Sequence, residues 1–417
     1  MFPKPKEKLF YGWIIVFFSG FITLILSGTR FSFGIFFKPL ANEFDLTRAA
    51  TSSLFSVYMV LCALVTMAGG WALDRYGPRL VYLLMGLFTG LSLLLTSQVN
   101  SSWQLFLSYS LLLSVGTASF FPVMNATVSR WFDQKRGLAL GIVASGSRLG
   151  QIVFAPFCAF LISHIGWRLA YIVTGLIVWL TIIPISRLMR SDPSEIGALP
   201  DGAELKTTVP EEKVEEGDAR LSDLSLSQAL KTRNYWVFAP VWLFVGFGNL
   251  LVWTHIVPYA TDANITAIKA ATIMSVMGGL ALPAGILFGR ISDIKGKKTP
   301  LIILALLRTG ALVGLIWARE LWMFYIFAIF YGTSIGGTGV MVAALSVDIF
   351  GKRSIGVIMG TLDMVASIGS AIGPFIGGLI YDVNNSYTVA FLIAAFGNII
   401  VALLIALVKV EAKQELV

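Results

Sequence analysis

Along most of this chain the apolar positions neither alternate with polar ones nor stripe against them. They run on for about 20 residues at a time, and short clusters of charge, Gly and Pro punctuate them. A helix rising about 1.5 Å per residue over that length covers about 30 Å, the thickness of a bilayer's hydrocarbon core. The pattern predicts twelve spans, at 10–38, 50–73, 79–98, 103–128, 137–162, 168–187, 233–260, 267–290, 299–317, 321–347, 353–380 and 387–409. In hydrocarbon every backbone polar group must be satisfied within its own element or a closed barrel. Runs this long are therefore helices, and the fold class is an all-α membrane protein.

One stretch breaks the rhythm. Residues 188–232, beginning "LMRSDPSEIGALPDG", carry Pro, Gly and a run of carboxylates, the composition of a linker. The chain is thus divided into 1–187, a linker at 188–232, and 233–417, with six spans on each side. Near the linker's end, "LSDLSLSQAL" suits either a short amphipathic helix at a membrane surface or a plain solvated linker end. The two sides also repeat. "GGWALDRYGPR" (69–79) returns as "FGRISDIKGKK" (288–298), so Gly70, Asp74, Gly77 and Arg79 match Gly289, Asp293, Gly296 and Lys298 at a constant offset of 219. Gly150 matches Gly369 at the same offset, and "KRGLALG" is echoed by "KRSIGVIMG". Several matches at one offset predict two homologous six-helix halves.

Composition agrees with the pattern: 56% of the 417 residues are hydrophobic and 13% charged, with a mean hydropathy of +0.80. A formal charge of +8 raises the question of nucleic acid, but the placement of the charges answers it. Lys4, Lys6, Lys8, Arg75, Arg79, Arg130, Lys135, Arg136, Lys295, Lys297, Lys298, Lys352, Arg353 and Lys409 fall in alternate connections. The other side holds mainly Lys38, Arg48, Arg168, Lys269 and Arg319. By the positive-inside rule both termini and the linker are expected in the cytoplasm, and no nucleic acid is implied. The first apolar stretch is too long for a cleavable signal and lacks a small-residue cleavage site. Cys62 and Cys158 lie inside apolar spans, where thiols behave as small core residues.

Three charges sit where hydrocarbon is expected. Arg30 lies about 12 Å of helix inward from Lys38, Arg148 about 17 Å into the fifth span, and Asp363 about 15 Å into the eleventh. Each costs about 2.5–3.5 kcal/mol near a bilayer centre, so such groups face a cavity or a partner. All three lie on stripes of small and polar residues at helical spacing: Gly20, Thr23, Ser27, Arg30, Gly34; Gly141, Ala144, Arg148, Gln151, Ala155; Gly360, Asp363, Ser367, Ser370, Pro374. The offset maps Asp363 to Ala144 and Arg148 to Ser367, one turn apart in register on matching helices. A cavity site and a static bridge between halves both fit Asp363.

The Gly-x-x-x-Asp-Arg-x-Gly-x-Arg loop of residues 70–79, with its copy after the eighth span, resembles the signature of the major facilitator superfamily, and the likeness covers the chain. "SFGIFFKPL", "RWFDQKRGLALG", "HIVPYATD", "VDIFGKR" and "DPSEIGALPDG" are similar to the bacterial branch of monocarboxylate transporters and oxalate/formate antiporters. The resemblance implies two six-helix bundles in parallel orientation around a midplane substrate site. It implies a conformational latch made by Gly70, Asp74, Arg75, Gly77 and Arg79 with Gly289, Asp293, Gly296 and Lys298. It also implies that the seventh span lines the cavity, which brings in His255 and Tyr259, while Tyr331 and Asn125 are further hydrogen-bonding candidates. Packing roles fit these four as well. His255, one of two histidines, changes charge near neutral pH and is a proton-coupling candidate beside Asp363.

The chain departs from those relatives in two places. Their eighth-span arginine position falls at about Gly285, and Asp363 stands where the oxalate type has a lysine. The anion-binding charge is therefore expected on Arg30 with Arg148 in support, because a forked guanidinium suits a carboxylate and stays charged. Arg308, in the ninth span, snorkels or pairs locally in this reading and receives no substrate role. The expected function is secondary transport of a small organic anion, most simply a monocarboxylate, across the inner membrane by alternating access, proton-linked or in exchange, by a monomer. A zwitterionic or cationic cargo and a non-transporting sensor are the competing readings. Neither a Walker loop nor a His/Cys cluster is present to support a nucleotide, metal, cofactor or enzymatic chemistry.

Overall fold

The computed structural model describes residues 10–202, 224–351 and 354–408, and among them there is no strand. Helices α1 (Tyr11–Phe31) and α2 (Phe33–Glu43) are separated only at Ser32, whose hydroxyl donates to the Gly28 carbonyl. Next come α3 (Arg48–Thr96), then α4 (Ser102–Leu105), a π-helical stretch Phe106–Leu112, α5 (Leu113–Thr117) and α6 (Phe120–Trp131), which together make one crossing-length unit. They are followed by α7 (Arg136–Ser186), two 3-10 turns at Pro193–Ile196 and Pro200–Gly202, and the one-turn α8 (Leu226–Ala229). The chain ends in α9 (Arg233–Asp262), α10 (Ala267–Lys295), α11 (Lys298–Leu315), α12 (Leu321–Phe350), α13 (Ile355–Asn384) and α14 (Thr388–Leu407).

Ten helical stretches among the described residues are long and apolar enough to cross a membrane, where the sequence predicts twelve spans. The difference lies in α3 and α7, of 49 and 51 residues, each more than twice the length that one crossing needs. Both break at a glycine, Gly77 (φ +75°) and Gly166 (φ +79°), in a conformation that side-chain-bearing residues avoid. Pro78 then opens the next helical segment, where its missing N–H costs nothing. The turn is so tight that the expected loop shrinks to a kink.

The repeat seen in the sequence recurs in the packing. Gly77 and Gly296 have matching torsions (φ +75°, ψ 171° and φ +75°, ψ 172°). A Cβ at Gly150 would collide with the Leu24 carbonyl, and one at Gly369 with the Leu243 carbonyl, the same contact 219 residues on. Small residues let backbones approach closely where apolar surface alone gives no driving force between helices. In this way α1 is pressed onto α7 and α9 onto α13, while α3 meets α13 and α7 meets α10.

The linker is ordered at both described ends. Asp201 accepts from the backbone N–H groups of Asp133, Gln134 and Lys135 at the start of α7. Arg79 donates to the Met189 carbonyl and Tyr11 to that of Leu188. At the far end, Ser225 and Gln228 form a reciprocal capping box on α8, and the Leu224 N–H donates to the Phe350 carbonyl. Of "LSDLSLSQAL", Leu221–Asp223 lie outside the described residues, and what is described is that single capped turn.

Candidate functional site

The seam between α1 and α7 sets the level of the first two charges. Ser27 and Ser147 hydrogen-bond side chain to side chain at 2.7 Å, with Arg30 one turn beyond Ser27 and Arg148 next to Ser147. From that shared level they diverge. Arg30 leans onto α3, its Nη2 3.0 Å from Met59 Sδ and its guanidinium 5.8 Å from the Tyr58 ring centroid. Its Nε is buried and has no hydrogen-bond partner. Arg148 reaches only Gln151, at 3.4 Å. On α13 the Asp363 carboxylate is exposed and makes no ion pair or side-chain hydrogen bond, Ser367 being bonded to its backbone carbonyl instead. Among the described residues, no carboxylate pairs with Arg30 or Arg148 and no cation with Asp363. Three costly charges thus stand uncompensated in apolar helices.

The four neutral candidates fall elsewhere. Asn125 is exposed on α6. Tyr331 is fully buried, donating to the Gly248 carbonyl while its ring lies 5.6 Å under Arg308. Tyr259 donates to the carbonyls at the end of α11, Leu315 and Ile316. His255 is fully enclosed, with Nε2 2.8 Å from the Pro374 carbonyl and Nδ1 3.1 Å from the Tyr387 hydroxyl. Arg308 itself is buried against Ser334 and Thr338, at 3.2 Å each.

His255 lies beneath a network on the face opposite the linker. Asp262 takes Lys38 and Arg48, each at 2.7 Å, and Arg48 also donates to Tyr387. Asp382 caps the start of α3, accepting from the N–H groups of Arg48 and Ala49 at 2.8 Å. Arg48 further stacks on Tyr381, 3.6 Å from the ring centroid. Lys38 and Arg48 counted in the sequence as minority cations on that side. Asp262, Asp382 and Tyr387 went unmarked there, since a lone charge or phenol at a span's end gives no hint of a partner 200 or more residues away.

On the linker face, among the described residues, the two halves of the chain are not joined in this way. Asp74 is 76% exposed and, among the described residues, bonded only to Arg130, at 2.9 Å. Arg75 lies over Trp71 and Tyr76, and nothing would obstruct a Cβ at Gly70, Gly137, Gly141, Gly356 or Gly360. In the second copy of the motif, Gly289 packs near Val340 and Lys298 donates to the Val408 carbonyl, while Lys297 pairs with Asp348 at 2.6 Å. The Asp293 and Lys295 side chains, with Lys352 and Arg353, lie outside what the structure describes. Among the described residues, the ion pairs that join the two halves therefore gather on the face opposite the linker.

Comparison with known proteins adds an independent line. The family model described as Major Facilitator Superfamily matches residues 16–365 and, in a second match, 301–416. The chain is 25% identical to Monocarboxylate transporter 13 of Bos taurus, over 92% of this chain and 86% of that one. It is 24% identical to the uncharacterized MFS-type transporter YcxA of Bacillus subtilis, over 99% and 96% of the two chains. Among solved structures, a bacterial homolog of the human lysosomal transporter Spinster, in an inward-facing and unoccupied conformation, superposes with a TM-score of 0.73. That match has 16% sequence identity and covers 97% of this chain and 96% of that one.

Proposed function

We propose, from the premise that this chain belongs to the Major Facilitator Superfamily, that it carries a small organic anion, most simply a monocarboxylate, by alternating access. In this reading α3 and α7 each cross the bilayer twice, giving twelve crossings in two homologous six-helix halves, 1–187 and 233–417. The linker face is cytoplasmic, the membrane is the bacterial inner membrane, and the structure is the inward-open state. The outer network of Asp262, Lys38, Arg48 and Asp382 is then the closed gate, and Asp74 awaits its partner.

The observation that carries the anion is Arg30. Its guanidinium cannot be discharged, its Nε has no partner, and no described carboxylate compensates it. A substrate carboxylate would supply the missing charge through a forked pair of hydrogen bonds. Arg148, at the same level across the seam, adds a second attraction without touching the first. The name of the bovine relative, Monocarboxylate transporter 13, supports the cargo class. Asp363 is assigned the proton: a carboxylate with no cation in contact can gain and lose one as the cavity opens to each side.

Counterflow in proteoliposomes tests the cargo. Radiolabelled small monocarboxylates should exchange, and unlabelled acids should compete while neutral amino acids do not. Competition by amino acids alone would instead favour the unpaired Asp363 as an amine ligand, and binding without accumulation would favour a sensor.

A further inference from the structure

The closed gate contains a hydrogen-bond chain with a direction. The Pro374 carbonyl only accepts, so His255 Nε2, 2.8 Å away, must carry a hydrogen. Ser52 Oγ, 3.4 Å from the same nitrogen, donates its own hydrogen to the Arg48 carbonyl and can only accept there. On the other side, Arg48 Nη1 donates to the Tyr387 oxygen at 2.7 Å. The phenolic hydrogen therefore turns to His255 Nδ1, 3.1 Å away. Gly377 leaves the room for this imidazole, since a Cβ there would press on Cδ2 and Nε2. With the gate closed, the ring is neutral and its proton sits on Nε2.

We infer that His255 is the proton-binding site of the outer gate: protonated, it holds that gate open, and only the neutral ring permits closure. This rests on the alternating-access reading above. A proton on Nδ1 would aim an N–H at an oxygen that already accepts from Arg48, and would strip the Tyr387 hydroxyl of its acceptor. It would also add a charge to a cluster that already holds three cations against two carboxylates. Arg48 and Lys38 face Asp262 and Asp382, Arg319 stands 3.5 Å from the Tyr259 hydroxyl, and Tyr381, Tyr259 and Tyr387 complete the ionisable surroundings on α13, α9 and the turn before α14. The imidazole is fully enclosed there, so no water could take up the extra charge. Opening the gate would return the ring to water, where it titrates near its ordinary value of about 6.5. Acid outside thus retains the outward-open state.

Spin labels at Asn42 and Asn384, both exposed on the gate face of opposite halves, report the opening by double electron–electron resonance. The full chain, with Cys62 and Cys158 replaced by Ala, is reconstituted in nanodiscs and titrated from about pH 7.5 to about pH 5.5, above the range of ordinary carboxylates. The long-distance population should grow about fivefold or more over that interval. In His255→Gln, whose amide can donate to Pro374 and accept from Tyr387 without titrating, it should stay constant. A wild-type distribution that ignores pH would overturn the assignment without recourse to any variant. An unchanged acid response in His255→Gln would overturn it too, handing the effect to Asp262 or Asp382. The readout needs no substrate, so failure of every small acid in counterflow would remove the proposed cargo and leave this result standing.

Discussion

A permanent charge in an apolar helix is informative because it is expensive, and Arg30 is the sharpest case. Replacing it with Gln keeps the size and removes the charge, so the loss should appear in transport and not in folding. Arg30→Gln is expected to lower initial uptake about 30-fold or more while the melting temperature stays within about 3 °C, with Arg30→Lys in between because it keeps the charge and loses the fork. Full uptake with unchanged affinity in Arg30→Gln would take the residue out of the site. At Asp363 the expectation has a different form. Asp363→Asn is permanently neutral and should still exchange substrate, yet fail to accumulate it against a gradient driven by protons. Gradient-driven accumulation by that variant would remove the proton from Asp363. Both residues stood out in the sequence as lone charges inside apolar runs, and the structure leaves both without an ion pair among the described residues. His255 was legible as chemistry but not as place: its spacing within the seventh span says nothing of the Pro374 carbonyl and Tyr387 hydroxyl that enclose it.

At the level of elements, hydropathy found the helices and the 219-residue offset found their repetition, down to the paired torsions at Gly77 and Gly296. What it missed was the form of the joints. Gly166 turns the chain within the break expected at 163–167, as a kink and not a loop, and the composition of 188–202 suggested a linker where the structure has a docked segment. The reason is physical: backbone donors at a helix start are invisible in a sequence, so the partner of Asp201 could not be named from it. Burial opposes ionisation of Asp201, but the N–H groups of Gln134, Asp133 and Lys135 outweigh it and hold the carboxyl below its ordinary value. A lowered folded value means that the docking is fully present above about pH 4 and weakens as the pH falls through that value. Asp201→Ala should therefore speed amide exchange at residues 133–135 and 193–202 at neutral pH without changing exchange in α9 to α14. Unaltered exchange at 133–135 would mean that the segment is held by Arg79 and Tyr11 alone.

In the alternating-access reading proposed above, the whole molecule is a pair of gates in opposite states, and its charges state which way each substitution should move it. Asp262 ties Lys38 and Arg48 on the closed face, so Asp262→Asn removes two ion pairs there and should favour the outward-open form. Asp74 has the opposite sign. In this conformation it is exposed and, among the described residues, meets only Arg130, a neighbour on its own half, so it contributes little here. When the linker face closes, resemblance to the superfamily places it at the start of α13, where a carboxylate before helical N–H groups contributes about 0.3–1 kcal/mol. Losing that contribution penalises only the closed form. Asp74→Asn should then raise the inward-open population about two- to fivefold, a change read as faster maleimide labelling of single cysteines at Ala144 and Gly360, both exposed on the parted side. Asp262→Asn should slow the same labelling, and the double variant should return toward wild type if the gates share one rocking equilibrium. Labelling at Ala144 and Gly360 that ignores Asp74→Asn would leave that carboxylate as a topogenic charge paired with Arg130 and nothing more.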